Sequence, residues 1–418
     1  KMDKILIEGG QRLSGKIEIS GMKNSALPII FACLLIQDEC VLENLPKVSD
    51  VENALSILEQ MGAFVEKIDA HTVKINAKNA KNQSLSFERI SKMRASSYLM
   101  STCLTRYGSV YMPYPGGCNF GSRPLEQHIN GLKRLGAKGG ERDGFIELKY
   151  KNRPKSNKIT LDKISVGATI NMVLATVLLE GESIIENVAK EPHVIDLIRF
   201  LNASGADILH FGGYIRVRGV QKLNGVKYRI YSDMIEMLTY VTCVGVTGGA
   251  LTIGNAQYEH VKFLKSTFDS MNIRMSFGND EIYVSSEKPR GISVKTAPYP
   301  GFPTDLHPQF SALLCYCDGG GSVEEKIFPG RFAYASELLK MGASIERFDN
   351  TIKINKSKLR GAVLDATDLR AGAALVVAAL GAEGVSTINN VNYIVRGYED
   401  IVPKLASVGG NIKLMQGE

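Results

Sequence analysis

A repeat of about seventy residues constrains this chain more than any other feature, and its marker is a helix end of the form apolar-Gly-Ala leading into a strand. Such ends fall at Met61-Gly62-Ala63, Leu135-Gly136-Ala137 and Met341-Gly342-Ala343, with Ser204-Gly205-Ala206 differing only in its first residue. Val408-Gly409-Gly410 is a close variant, and Met271-Asn272-Ile273 uses asparagine, the other residue that tolerates a left-handed cap. The intervals between successive Gly or Asn positions are 74, 69, 67, 70 and 67 residues, so six units fill the 418-residue chain. A single small core is excluded at this length, and two domains of about 200 residues, three units each, fit the usual limits.

Each unit carries two helices of different character. Upstream of each cap lies an amphipathic helix, for example over 50–61, with apolar residues at helical spacing. Before most of these comes a hairpin-like element, as at 181–187, 321–327 and 384–390. The second helix is apolar and often rich in Ala and Ser, over 25–35, 95–105, 168–179, 234–246, 308–316 and 371–380. Helices of that kind belong in the middle of a domain. The expected fold class is therefore α/β, with three buried helices per domain surrounded by sheets and outer amphipathic helices. An ordinary doubly wound sheet is the alternative; no Gly-x-Gly-x-x-Gly follows a strand, and the sixfold period argues against it.

The heads of the buried helices carry the polar residues of interest. Lys23-Asn24 precede the first and Arg94 the second; Ser165-Val166-Gly167 precede the third, Asp233 the fourth, Asp305 the fifth and Asp368-Leu369-Arg370 the sixth. A helix N-terminus offers free N–H groups and about half a positive charge, so converging ends would form an anion trap. Simple N-capping explains Asp305 and Asp368 equally well. It does not explain Lys23, Arg94 or Arg370, because cations oppose the dipole at a helix start.

The segment Pro115-Gly116-Gly117-Cys118-Asn119-Phe120-Gly121-Ser122-Arg123-Pro124 sets a thiol in a Gly/Pro-flanked loop ahead of an arginine. Glycines allow positive φ and loop movement, and the Arg123 guanidinium favours a thiolate and an anionic ligand beside it. The competing reading is a small buried hydrophobe, the usual fate of free cysteine. Cys33, Cys40, Cys103, Cys243, Cys315 and Cys317 lie in or beside apolar runs and read as core. Seven cysteines without regular spacing argue for a reducing, cytoplasmic setting rather than a disulfide framework. Cys315-x-Cys317 lacks a second pair with zinc spacing, so no metal is expected. The six histidines form no His-Glu-x-x-His pattern, and His128 reads as a site-lining or a surface residue. The opening Lys-Met-Asp-Lys-Ile-Leu-Ile reads as a strand without a signal-peptide profile, and no apolar run reaches membrane-spanning length. A dispersed net charge of +7 indicates no nucleic-acid stripe and is compatible with small anionic substrates.

Taken in order, Ser20–Pro28, Met93–Ser96, Pro115–Cys118, Gly121–Pro124, Ser165–Thr169, Gly301–Asp305, Asp368–Arg370 and Arg396–Glu399 resemble the UDP-N-acetylglucosamine 1-carboxyvinyltransferases, enolpyruvyl transferases of bacterial peptidoglycan synthesis. The resemblance implies two inside-out α/β barrels of three repeats, residues 23–231 and residues 1–22 joined to 232–418, with the active site in the cleft between them. It implies transfer of the enolpyruvyl group of phosphoenolpyruvate to the 3′-hydroxyl of UDP-N-acetylglucosamine, with release of phosphate, and so the cell-wall, cell-shape and cell-division roles of that product. Cys118 is the implied general acid, able also to form a pyruvate adduct and to react with fosfomycin-type epoxides; Asp305 is the implied base. Lys23, Asn24, Arg123 and Arg396 would hold phosphoenolpyruvate. Arg94, Arg123, Pro124, Leu125, Glu126, Gln127, Lys163, Ser165, Val166, Gly167, Asp305 and Ile327 would hold the nucleotide sugar, with Arg370, Arg331, Asp233 and Glu191 in support. No cofactor, nucleic acid or membrane is implied, and a monomer is expected.

Several positions depart from the family's pattern. Ile170 stands where Glu is usual, Met234 and Leu238 replace an arginine and a glycine, His307 replaces Gln, and Asn119-Phe120 replace a small residue and Ile. Two rival functions follow: a UDP-sugar-binding paralogue without catalysis, and an enolpyruvyl-shikimate-phosphate synthase-like enzyme, which Cys118 and Ser165-Val166-Gly167 disfavour.

Overall fold

The computed structural model describes residues 3–83, 85, 87–116 and 125–417, with the Phe87 side chain left out. Cys118, Asn119, Phe120, Arg123 and Pro124 lie outside the described residues. The chain forms two compact units, one of residues 3–20 and 232–417, the other of the described residues within 21–231.

In the first unit the helices Met234–Thr247, His307–Leu314 and Leu369–Gly381 pack on one another and are buried along almost their whole length. The last of these reads Leu-Arg-Ala-Gly-Ala-Ala-Leu-Val-Val-Ala-Ala-Leu-Gly, apolar on every face after Arg370, and a helix of that composition is stable only in a core. Three four-stranded sheets surround the trio. In two of them the strand before a central helix pairs in parallel with the strand after it: Ser293–Lys295 with Gly321–Glu324, and Val363–Asp365 with Val385–Asn389. The third takes its parallel partner from the N-terminal stretch, Ser14–Glu18 against Ala250–Gly254. The remaining pairs are antiparallel. The strand Lys4–Glu8 lies between Val385–Asn389 and Asn411–Met415, with Ile5 opposite both Ile388 and Leu414, so the first and last strands of the chain are hydrogen-bonded neighbours.

The second unit repeats this plan with central helices Lys23–Ala32, Leu99–Tyr107 and Val166–Thr176. Its parallel pairs are Lys227–Arg229 with Glu39–Glu43 and Lys158–Thr160 with Glu182–Glu186; among the described residues the third sheet has three strands, all antiparallel. The outer amphipathic helices of both units end as the repeat requires. Gly62, Gly136, Gly205, Asn272, Gly342 and Gly409 have φ of 98°, 108°, 103°, 60°, 93° and 99°. All six are left-handed caps. No helix among the described residues is long and apolar enough to cross a membrane. Six of the cysteines are buried and none of those six is in a disulfide.

The helix heads differ from the sequence reading by a few residues. Lys23 and Asn24 are the first two residues of their helix rather than its lead-in. Arg94 opens a 3₁₀ turn, Arg94–Tyr98, that leads into Leu99–Tyr107. Asp305 sits in the 3₁₀ turn Thr304–Leu306. Arg370 is the second residue of its helix, behind the N-cap Asp368. At Arg94 and Asp305 the 3₁₀ turn carries the polar residue ahead of the α-helix, and at Arg370 the Asp368 side chain takes up two of the orphan N–H groups.

Gly116 also differs. Its φ is not positive; what it needs is room, because a Cβ there would lie 1.5 Å from the carbonyl oxygen of Ser91. Gly116→Ala is expected to cost about 1–3 kcal/mol by overpacking. It should also lower turnover, because Gly116 stands two residues before Cys118 in the sequence. A melting curve and an activity assay check this; a stable, fully active variant would remove Gly116 from both roles.

Candidate active site

Each unit gathers a group of the implied site residues. In the first unit the group centres on Asp305. Arg331 Nη1 donates to Asp305 Oδ1 at 2.9 Å and to Thr304 Oγ1 at 2.9 Å, and Arg370 Nη2 reaches Asp305 Oδ2 at 3.4 Å. Both guanidinium side chains are nearly inaccessible, at 3% and 5% exposure, whereas the Asp305 side chain keeps 29%. The carboxylate is therefore partly exposed and is held by two fixed cations. Behind Arg370, its Nη1 donates to Tyr398 Oη at 3.0 Å, and Gln309 Nε2 donates to the same hydroxyl and to the Asp305 carbonyl, both at 3.0 Å. Burial works against the charge of Arg370, but Tyr398, Asp305 and Asp233 around it hold the guanidinium above its ordinary pKa.

The carboxylates at the three helix heads have separate tasks. Asp233 Oδ1 accepts from the N–H groups of Ile235 and Glu236, and Asp368 Oδ1 from those of Arg370 and Ala371, as N-caps do. Burial raises the pKa of Asp233, against the pull of Arg370 and the two N–H donors. Asp305 is the N-cap residue of neither its own turn nor the following helix, so capping, which the sequence left open for it, is not its role. Ile327 donates its N–H to Glu325 Oε1 at 2.7 Å, which fixes the turn that carries it.

In the second unit Lys23 Nζ lies 3.0 Å from Asp50 Oδ2, both side chains about nine-tenths buried. Asp50 stands in the first turn of the helix Ser49–Gln60, where its charge suits the dipole, and it supplies the anion that Lys23 lacks at its own helix start. The mismatch read from the sequence is thus answered within the protein. Pro28, inside the helix Lys23–Ala32, has no N–H to give the Asn24 carbonyl. A second group links Arg94 to the 125–127 and 163–167 segments. The Arg94 guanidinium lies 5.8 Å from the centre of the Tyr114 ring, whose hydroxyl accepts from Leu125 N at 3.1 Å. Burial lowers the pKa of Arg94, and its contact with Tyr114 partly restores it. Gln127 then clasps the Lys163 peptide from both sides, accepting its N–H at 2.8 Å and donating to its carbonyl at 2.9 Å. Ser165 N-caps the helix Val166–Thr176 through Ala168 N at 3.2 Å. Glu126 begins its own helix, and Glu191 N-caps the helix Pro192–Ala203 by position.

Some residues sit where the sequence did not put them. His128 is buried rather than at the surface, bonded through Nδ1 to Asn171 Nδ2 at 2.8 Å and pressed against Gly167, where a Cβ would come 2.8 Å from the ring. Ile170 and Leu238 are fully buried and Met234 nearly so, which makes these family departures packing residues of the two cores. Asp50, Thr304, Glu325 and Tyr398 were missed. Their partners lie from tens of residues to most of a unit away along the chain, so only the fold brings them together.

Comparison with known proteins adds a third line. The family model described as EPSP synthase (3-phosphoshikimate 1-carboxyvinyltransferase) matches residues 7–405. The chain is 38% identical to a UDP-N-acetylglucosamine 1-carboxyvinyltransferase of Pseudoalteromonas atlantica and 42% identical to that of Halothermothrix orenii, over 99% of both chains in each case. It is similar in structure to the enolpyruvyl transferase NikO from Streptomyces tendae, with a TM-score of 0.90 at 24% identity over 100% of this chain and 99% of the other. It is also similar to EPSP synthase from Acinetobacter baumannii, with a TM-score of 0.78 at 17% identity over the full length of both.

Proposed function

The chain belongs to the UDP-N-acetylglucosamine 1-carboxyvinyltransferases, within the wider EPSP synthase family, and on that premise we propose how its residues divide the work. It is an enolpyruvyl transferase that moves the enolpyruvyl group of phosphoenolpyruvate to the 3′-hydroxyl of UDP-N-acetylglucosamine and releases phosphate, the committed step of peptidoglycan synthesis. The observation that carries this is full-length identity of 38–42% to enzymes of that name, whereas likeness to EPSP synthase at 17% speaks for fold alone.

Addition joins the sugar 3′-oxygen to C2 of phosphoenolpyruvate while C3 takes a proton and becomes a methyl group. Elimination then removes a C3 proton and breaks the C2–O bond to phosphate. One group must give the C3 proton and another must take the hydroxyl proton. We assign the first to Cys118 and the second to Asp305, whose partial exposure and two-cation backing suit a hydroxyl-orienting carboxylate. Lys23, Asn24, Arg123 and Arg396 hold phosphoenolpyruvate through charge-assisted bonds. Arg94, the 123–127 and 163–167 segments and Ile327 hold the nucleotide sugar; the Gln127–Lys163 clasp supports that reading by making two of those segments one piece. Asp233, Arg331, Arg370 and Glu191 act in support. The domains are read as residues 23–231 and 1–22 with 232–418, each an inside-out barrel of three repeats, supported by three buried helices among sheets in each unit. Work in the cytoplasm is supported by the six buried thiols.

Phosphate release measured with phosphoenolpyruvate and UDP-N-acetylglucosamine together is expected, and none with shikimate 3-phosphate as acceptor. Release only with the shikimate acceptor would reassign the enzyme, and binding of the nucleotide sugar without release would leave a paralogue. The buried positions of Ile170, Met234 and Leu238 speak against that last outcome. An epoxide phosphonate resembling phosphoenolpyruvate should alkylate Cys118, faster with the nucleotide sugar bound. Peptide mapping that places the label on another cysteine would overturn the assignment.

A further inference from the structure

Two residues that no step of the reaction uses lie directly behind Asp305. Glu325 and His307 are both fully buried, and the carboxylate of Glu325 accepts five hydrogen bonds. Its Oε2 takes the Thr304 hydroxyl at 2.8 Å and His307 Nδ1 at 2.9 Å. Its Oε1 takes the Thr296 hydroxyl at 2.7 Å and the N–H groups of Ile327 and Phe328 at 2.7 and 3.0 Å. Thr304 in turn accepts from the same Arg331 Nη1 that binds Asp305. One carboxylate therefore ties together two turns, the one that holds Asp305 and the one that holds Ile327.

We propose that Glu325 and His307 are positioning residues for Asp305, with the Nδ1–H of His307 orienting the Glu325 carboxylate and that carboxylate fixing the Thr304–Asp305 and Ile327–Phe328 turns against each other. The tautomer follows from the partners. An ionised Glu325 can only accept, so the proton between them sits on Nδ1. Nε2 is then the acceptor for the Tyr334 hydroxyl at 2.6 Å, and Tyr334 takes the Ser311 hydroxyl at 2.8 Å. The titration directions agree. Burial opposes the charge of Glu325, but its bonds from His307, Phe328 and Thr296 bring its pKa down to about 2. Burial lowers the pKa of His307, against the pull of Glu325 and with the help of Arg331. A carboxylate with every lone pair used and an imidazole with both nitrogens engaged form a closed network, which holds geometry better than any one bond. His307 stands where the family usually has Gln, so this chain makes the junction with a rigid ring.

The inference rests on Asp305 serving the transferase reaction, and its test separates the two claims. Wild type, Thr304→Val, His307→Leu, His307→Asn and Glu325→Gln are compared in the phosphate-release assay, with melting curves and amide hydrogen exchange on each. Thr304→Val keeps shape and loses the link, and should lower kcat about tenfold with KM for phosphoenolpyruvate unchanged. His307→Leu should do the same, and His307→Asn, which keeps an N–H near the Nδ1 position, should recover most of the loss. Glu325→Gln places an amide NH₂ against donors and should lower kcat further while raising KM for the nucleotide sugar. Exchange at the Ile327 and Phe328 amides should quicken in His307→Leu even without substrates, a readout that stands if wild type shows no turnover. Equal kcat in His307→Leu and His307→Asn, or losses that track only the fraction unfolded, would overturn the positioning role. Unchanged exchange at both amides in His307→Leu would overturn it too.

Discussion

Asp305→Ala is expected to lower turnover by about 10²–10⁴-fold, the usual worth of a positioned acid or base, while UDP-N-acetylglucosamine still binds. The side chain is asked to handle one hydroxyl proton, whereas nucleotide affinity is assigned to the 123–127 and 163–167 segments. The variant has a second effect that the structure foretells. Arg331 and Arg370 both lean on this carboxylate, at 2.9 and 3.4 Å, and its removal leaves two buried cations facing the same gap. Melting temperature should therefore fall, and Asp305→Asn, which refills the gap without restoring charge, should regain packing but not kcat. Calorimetric titration with the nucleotide sugar, beside steady-state kinetics, separates these effects. An Asp305→Asn enzyme with near-wild-type kcat would take the proton role away from this residue.

Cys118→Ala should reduce turnover on the same scale, with a melting curve that overlays that of wild type. The Gly/Pro-flanked setting read from the sequence implies little packing for this thiol, in contrast with the six core cysteines, whose loss would leave cavities. Burial pushes the thiols of Cys103, Cys243, Cys315 and Cys317 up to about 12, so at neutral pH they stay protonated and inert. Cys33 and Cys40 are shielded by burial instead, at 1% and 0% exposure, so thiol-directed inactivation is expected to follow Cys118. Inactivation in the Cys118→Ala background at the wild-type rate would contradict this.

Much of the architecture was legible because it is periodic. Six caps at near-constant spacing each demand a residue that accepts a left-handed backbone, and all six positions have it. The apolar helices 234–246 and 371–380 had to be central because no face of them suits water, and they are. At the candidate site the sequence marks unusual residues but not their partners. Lys23 and Arg370 looked unexplained at helix starts, yet Asp50 and Asp305 neutralise them; those pairings come from tertiary packing, which no local pattern encodes. Asp305 looked like a cap because aspartate before a helix usually is one. Glu325, in the run Glu324-Glu325-Lys326, carries no local sign of burial, and only the return of the chain past Thr304 and His307 buries it.

The pairing of Lys4–Glu8 with Asn411–Met415 sets an order on biosynthesis. The segment 21–231 leaves the ribosome whole and can fold as soon as it is out, with a complete set of its own sheets and central helices. The strand Lys4–Glu8 cannot dock until both of its partners, Val385–Asn389 and Asn411–Met415, have been made. At about 5–20 residues per second, the wait after Tyr231 lasts roughly 10–40 s, with an apolar Ile5-Leu6-Ile7 strand unpaired throughout. Slow codons or a chaperone holding the N-terminus should thus raise the yield of native enzyme more than any aid to the middle of the chain. A circular permutant that joins residue 417 to residue 3 and opens elsewhere in a surface turn would abolish the delay.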